Sequence, residues 1–218
     1  MATAPRPRGT FIWGRSGDSV RLDPALVTDG ESVMVTTNLF DTLVAFKPGS
    51  TEIVPWLATR WETSRDGLVW TFTLREDVRF HDGNPLDADA VVFSFERQRD
   101  KEHPARKSTD AFIYYVTNFR ALESVEAVDA RTVRFRLSQP YAPFLSALAL
   151  FSCAIVSPAG FGPEKDFSVA PGGLGPPSSS RSGTATPRSS SGRTRSTSAA
   201  RRPSTSSSSS PSRTPRRV

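Results

Sequence analysis

The side chains able to do chemistry are few and scattered. His81 and His103 are the only histidines and Cys153 the only cysteine. His81 stands beside Asp82, the pairing of a catalytic or metal-binding dyad. The run His81-Asp82-Gly83-Asn84-Pro85 has the composition of a tight turn, which accounts for both residues without chemistry. Ser16, Asp18 and His81 supply the residue types of a nucleophile–acid–base triad, but a chain this rich in serine and aspartate offers such sets by chance. The stretch GRSGDS lacks the lysine that a phosphate-cradling loop requires. A single cysteine excludes an internal disulfide and a cysteine-based zinc site. In LFSCAIVS it reads as part of a buried strand, where a thiol behaves as a small hydrophobe. The residue types predict no catalytic residue, no metal site and no cofactor.

The elements around these residues are better marked. TFIWG is β-rich and predicts a first strand ending at Gly14. In GESVMVTTNLFDTLVAF, Val33, Asn38–Leu39 and Thr42–Leu43 recur at helical spacing, against many β-branched residues, and KPGS follows as a turn. The clearest signal is WETSRDGLVWTFTLREDVRFHDG. Asp66–Gly67 marks a hairpin, since glycine takes the positive φ of a tight turn. Beyond it Trp70, Phe72 and Leu74 alternate with Val69, Thr71 and Thr73, giving one aromatic, apolar face to a strand that the turn at His81–Pro85 closes. Trp61, Trp70 and Phe72 are expected in the core of this hairpin.

DADAVVFSFERQRD carries the start signals of a helix. Asp87 caps it, Asp89 favours the positive end of the dipole, and Arg97 and Arg99 lie near the other end. Val91, Val92 and Phe95 form its apolar stripe. SVEAVDARTVRFRLSQP predicts a second hairpin about Asp129–Ala130, with Val133, Phe135 and Leu137 alternating against Arg134 and Arg136. APFLSALALF reads as a short apolar helix after Pro143, and CAIVSP as another strand. The fold class is a mixture, α/β or α+β, with antiparallel hairpins and intervening helices. No internal repeat is present.

Charge and composition divide the chain sharply. Of 28 basic residues, nine are arginines after Ala170, where no acid occurs; the remainder sets 19 basic residues against all 22 acids, a net −3. The overall +6 therefore belongs to the tail, and it does not mark the patterned part as binding nucleic acid. From Pro176 to Arg217 only Pro, Ser, Arg, Gly, Thr and Ala appear, a composition that predicts disorder. MATAPRPRGTF has Arg6 and Arg8 with no apolar stretch behind them, so no secretory signal is expected in this chain. The longest apolar run, Phe144 to Val156, is broken by Ser146 and Ser152 and is too short to span a bilayer.

One long pattern gathers these signals. The order A-x-x-W-E-x-S-x-D-G-x-x-W-x-F-x-L-R-x-x-V-x-F-H-D-G-x-P-x-x-A-x-x-V-x-F-S runs from Ala58 and Trp61 through Asp66, Trp70, Phe72, Arg75 and His81 to Val91, Phe93 and Ser94. With STEIVPWLA, SVEAVDARTVRFRLSQPYAPFLSALAL and AIVSP, it resembles the family 5 solute-binding proteins of bacterial ABC importers, most closely the dipeptide receptors. The likeness runs from about Thr10 to Pro176.

The resemblance implies the N-terminal part of a bilobal, class II periplasmic-binding-protein-like fold with an inserted α+β subdomain. The expected organisation is a disordered start at 1–9, a first segment of lobe I at 10–46, the insert and the return toward lobe I at 47–170, and a disordered Ser/Arg/Pro tail at 171–218. It implies a ligand cleft edged by Gly14, Arg15, Ser16, Thr28, Asp29 and Gly30, with Tyr114 or Tyr115 offered by the insert. The implied partners are a peptide or other small solute and importer permease subunits, with the protein a monomer in the periplasm or on the outer membrane face. The tail has what a GC-rich gene yields when read one base out of frame, so the chain is expected to be truncated and not to bind its solute usefully. The alternative is a domain bearing a genuine Arg/Ser interaction tail for RNA or another anionic partner, with Arg-Ser steps at Arg181, Arg188 and Arg195.

Overall fold

The structure, a computed structural model, describes residues 14–107 and 111–162. The strand expected over TFIWG, the 1–9 start and the 171–218 tail lie outside the described residues.

The centre of the molecule is a four-stranded antiparallel sheet in the order β3-β4-β6-β5, built from β3 (Ala58–Thr63), β4 (Val69–Leu74), β5 (Leu122–Asp129) and β6 (Thr132–Leu137). The two hairpins read from sequence form it, and their second strands pair: Trp70 lies opposite Phe135 and Phe72 opposite Val133. That register puts every apolar residue of the alternation on one face. Phe72, Leu74, Val133, Phe135 and Leu137 are buried, while Thr71 and Arg134 face each other on the other side. Gly67 (φ +72°) supplies the left-handed residue at the tip of the first hairpin, and Gly83 (φ +90°) that of the separate turn at His81–Pro85. β4 stops at Leu74, short of the His81 turn. Beyond it Arg79 and Pro85 make only an isolated bridge, and Asp77 takes a φ of +58°.

Helix α2 (Ala88–Arg99) packs on the apolar face, capped as expected by the Asp87 side chain, which accepts from the Ala90 amide at 2.9 Å. Phe95 meets Phe135 edge-on at 5.0 Å, and Phe135 in turn meets Phe72 at 5.4 Å and Phe144 at 5.7 Å. Such perpendicular ring pairs add to what area burial alone contributes. Phe144 opens the short helix expected after Pro143, Phe144–Leu148; between it and α2 lies a further short helix, α3 (Ile113–Asn118). Of the three aromatics expected in this core only Phe72 is fully enclosed; Trp61 and Trp70 are half-buried at its margin.

The opening part is built differently. α1 (Gly30–Leu39) is capped by Asp29, whose side chain accepts from Ser32 N at 2.8 Å. The helical spacing read as far as Leu43 breaks at Phe40, whose extended backbone drops the chain into the core. Leu43 and Val44 are wholly buried there, and β1 (Val44–Phe46) pairs with β2 (Ile53–Pro55) across the KPGS turn. CAIVSP is not a strand. Phe151–Cys153 form a 3₁₀ turn, and Ala154–Ser157 run extended and buried outside any ladder, fastened by Ile155 N to Asp41 O at 2.9 Å and by Val156 N to Ser94 Oγ at 3.0 Å. An apolar β-branched run predicts burial, not a partner strand. Cys153 is buried and its thiol pushed up to about 12 by desolvation.

Candidate functional site

The opening segment folds back on the start of α1. Arg15 Nη1 donates to Ser19 Oγ at 3.1 Å and to the Glu31 carbonyl at 3.2 Å, while Ser16 Oγ donates to Glu31 Oε1. Ser32 is fully buried, and its Oγ accepts from the Val20 amide at 2.9 Å and the Arg21 amide at 3.3 Å. Arg15 and Ser16 are thus held to Glu31, in the first turn of the helix that Asp29 caps, while Gly14 makes no such contact among the described residues. Asp29 is held below the usual carboxylate range by the Ser32 amide and hydroxyl, so it stays ionised while it caps the helix.

Against this terminus lies a groove of about 290 Å³, lined by Val20, Arg21, Leu26, Thr28, Asp29 and Ile113, among others. Its walls come from the opening segment and from the residues that begin α3. The apolar lip is exposed, with Val20 at 73% and Ile113 at 54%. Arg21 and Asp29 place opposite charges at its edge, and small polar groups beside exposed apolar surface suit a ligand held by both backbone and side chain.

Tyr114 and Tyr115, expected to be offered to the ligand cleft, do not line this groove. Tyr114 sets its ring edge-on to Phe151 at 5.0 Å. Tyr115 stacks on Phe119 at 5.8 Å and packs against Ala25, Leu26 and Phe112. Its hydroxyl is buried with no hydrogen-bond partner among the described residues, and desolvation raises its pKa. On a helix, adjacent residues point about 100° apart, so the residue one position earlier, Ile113, lines the groove while the tyrosines pack inward. Sequence reasoning also missed Glu31 and Ser32. The polar residues of a helix's first turn carry no periodic signal, and only a seryl and a glutamyl directly after a capping Asp-Gly could have drawn attention to them.

The residue sets set aside on sequence grounds have structural partners. Asp82 accepts from Asn84 N at 3.0 Å within its turn and from Ser157 Oγ at 2.6 Å. His81 beside it is lowered mainly by burial, partly offset by the Asp82 charge. Ser16 is engaged by Glu31, and Asp18 faces Arg15 at 3.5 Å. Among the described residues no cluster of His, Cys, Asp and Glu is arranged to hold a metal ion. No described helix is long and apolar enough to cross a membrane.

Residues 52–176 match the family model described as bacterial extracellular solute-binding proteins, family 5 middle. The dipeptide-binding protein of Escherichia coli K12 is 37% identical over 158 residues, covering 68% of this chain and 30% of its own length. Heme-binding protein A of Haemophilus influenzae is 38% identical over 68% of this chain and 29% of its own. Among solved structures, the ABC transporter-associated periplasmic binding protein DppA of Helicobacter pylori, in complex with the peptide STSA, superposes with a TM-score of 0.61 at 45% identity. It covers 65% of this chain and 30% of its own. The chain therefore spans about 30% of the length of the relatives it matches.

Proposed function

The chain belongs to the bacterial extracellular solute-binding proteins of family 5, binding proteins and not enzymes, and we propose that its described part forms one wall of a peptide-binding cleft in an ABC importer's receptor. The observation that carries this reading is the groove at the start of α1. It gathers Thr28 and Asp29 with Ile113 from another part of the chain, and it offers apolar surface flanked by Arg21 and Asp29.

A short peptide has matching chemistry: amide groups along its length, opposite charges at its ends, and a side chain to bury. Residues up to Phe46 supply one edge, and the hairpins with α2 and α3 supply the scaffold that presents the other. The cargo is a short peptide, the partners are permease subunits, and the site of action is the outer face of the membrane. The heme-binding relative shows that likeness at this level does not by itself select the ligand, so the groove's chemistry has to.

Replacing the corresponding part of the Helicobacter pylori DppA with residues 14–162 and titrating the chimera with dipeptides and tripeptides is the direct test. Saturable binding that Asp29→Ala or Ile113→Asp weakens is expected. A folded chimera that binds no peptide would sink the reading. The chain by itself is expected to show no saturable micromolar binding, because a bound ligand is normally buried from several sides.

A further inference from the structure

We infer that Arg97 is a positioning residue whose guanidinium fixes the opening segment against the α3 segment and so sets the spacing of the two groove walls. Arg97 Nη1 and Nη2 donate to Asp23 Oδ2 and Oδ1 at 2.7 and 2.8 Å, a two-pronged pair with side chains only 1% and 3% exposed. Asp23 has further duties. Its Oδ1 accepts from Ala25 N at 3.0 Å, and its carbonyl accepts from Leu26 N at 3.0 Å and Val27 N at 3.2 Å. The carboxylate that Arg97 grips therefore closes the turn that delivers Leu26, Val27 and Thr28 to the groove.

The other wall is reached through the guanidinium itself. Its carbon lies 5.8 Å from the centre of the Phe112 ring and 4.9 Å from that of Phe161. Phe112 immediately precedes Ile113, and Arg106 lies 4.8 Å from its ring as well. One cation thus touches the opening turn, the residue that starts the opposite wall, and the segment returning after Ser157. A compact ammonium cannot do this, because it lacks both the fork that meets two carboxylate oxygens and the flat faces that lie against rings. Nor is net stability a sufficient account: a buried ion pair is often no more stabilising than well-packed apolar side chains. What the pair supplies is a fixed geometry between segments that no strand ladder joins. This inference rests on contacts alone and stands whether or not the groove takes a peptide.

Hydrogen exchange on the full chain, read at individual amides, tests it. In Arg97→Lys the Leu26 and Val27 amides are expected to exchange roughly tenfold faster or more, while the β4 and β6 amides stay within about twofold of the parent. The charge survives in that variant, so its failure to restore protection would separate geometry from charge. Should Arg97→Lys not fold, Asp23→Asn decides, since it keeps an oxygen for Ala25 and loses one arm of the fork; the same local change is expected. Unchanged exchange at Leu26 and Val27 in the variant that decides would overturn the inference. So would an equal acceleration in the sheet, which would make Arg97 an ordinary member of the core.

Discussion

The sheet with α2 and the opening segment with α1 are held together by different physics. In the sheet, backbone ladders fix the strands and a continuous set of rings, Phe72, Phe95, Phe135 and Phe144, fills the face beneath the helix. In the opening segment the residues buried on α1 are Ser32 and Thr36, and the contacts are side chain to backbone: Ser32 to Val20 and Arg21, Asp29 to Ser32, Arg15 to Glu31. Apolar packing is non-directional and spread over many small contacts, whereas a hydrogen bond depends on the distance and angle of one donor and one acceptor. The scaffold is accordingly built from the first kind of contact and the candidate site from the second.

Four substitutions separate the two regions. Phe135→Ala removes the ring that touches three others and should cost about 3–5 kcal/mol, lowering the thermal midpoint of the whole domain. A change confined to the opening segment would mean that the sheet is not the common core. Ser32→Ala removes the acceptor shared by the Val20 and Arg21 amides, which belong to exposed residues that water can reach, and about 0.5–1.5 kcal/mol is expected. Its effect should be concentrated in exchange at residues 15–33, with the sheet amides following only the global change. Equal loss everywhere would erase the contrast between the regions.

Asp87→Ala removes the α2 cap and should cost about 1 kcal/mol, measurable as a shift in the urea midpoint with an unchanged slope. No shift would show that packing against the sheet alone holds the helix start. Tyr115→Phe is the mildest near neutral pH, neutral or slightly stabilising, because the buried hydroxyl it deletes has no partner among the described residues. Its signature is alkaline. Burial raises the folded-state pKa of Tyr115 above its ordinary value of 10.0. Below that value both folded and unfolded forms are neutral and nothing is lost. Above it the unfolded chain ionises first and stability falls. Tyr115→Phe should remove part of that loss; identical alkaline unfolding curves for the two proteins would contradict the burial of this hydroxyl.

The same contrast explains what the sequence disclosed. Both sheet hairpins, the α2 cap and the helix after Pro143 were legible because burial imposes a period on apolar residues, and turns impose glycine at Gly67 and Gly83. Residues 14–16 and 28–30 were expected at a ligand cleft only through family likeness, and of these Thr28 and Asp29 line the groove. Nothing in the sequence marked Ser32 as the acceptor for a distant loop or Arg97 as a buried partner of Asp23. Arg97 instead reads as a favourable charge near a helix end, since an ion pair across 74 residues has no local signature. CAIVSP shows the opposite failure. Its burial was legible, but side-chain hydroxyls and single amides took the place of the ladder that its composition implied.

The fastening of Ile155 to Asp41 also orders the events of folding. The β3–β4 and β5–β6 hairpins join neighbours in sequence and can close early, whereas the Asp41–Ile155 contact must wait for a loop spanning most of the described chain. Until then Leu43 and Val44, wholly buried in the finished molecule, lack part of their cover. Pulse-labelled exchange during refolding should protect the Val133 amide before that of Ile155; the reverse order would contradict this sequence. During synthesis, the apolar start of the first core strand leaves the ribosome long before the segment that covers it. The nascent chain therefore carries a sticky patch until Ile155 has been added, and a chaperone holding that patch would shorten the time in which two such chains can find each other.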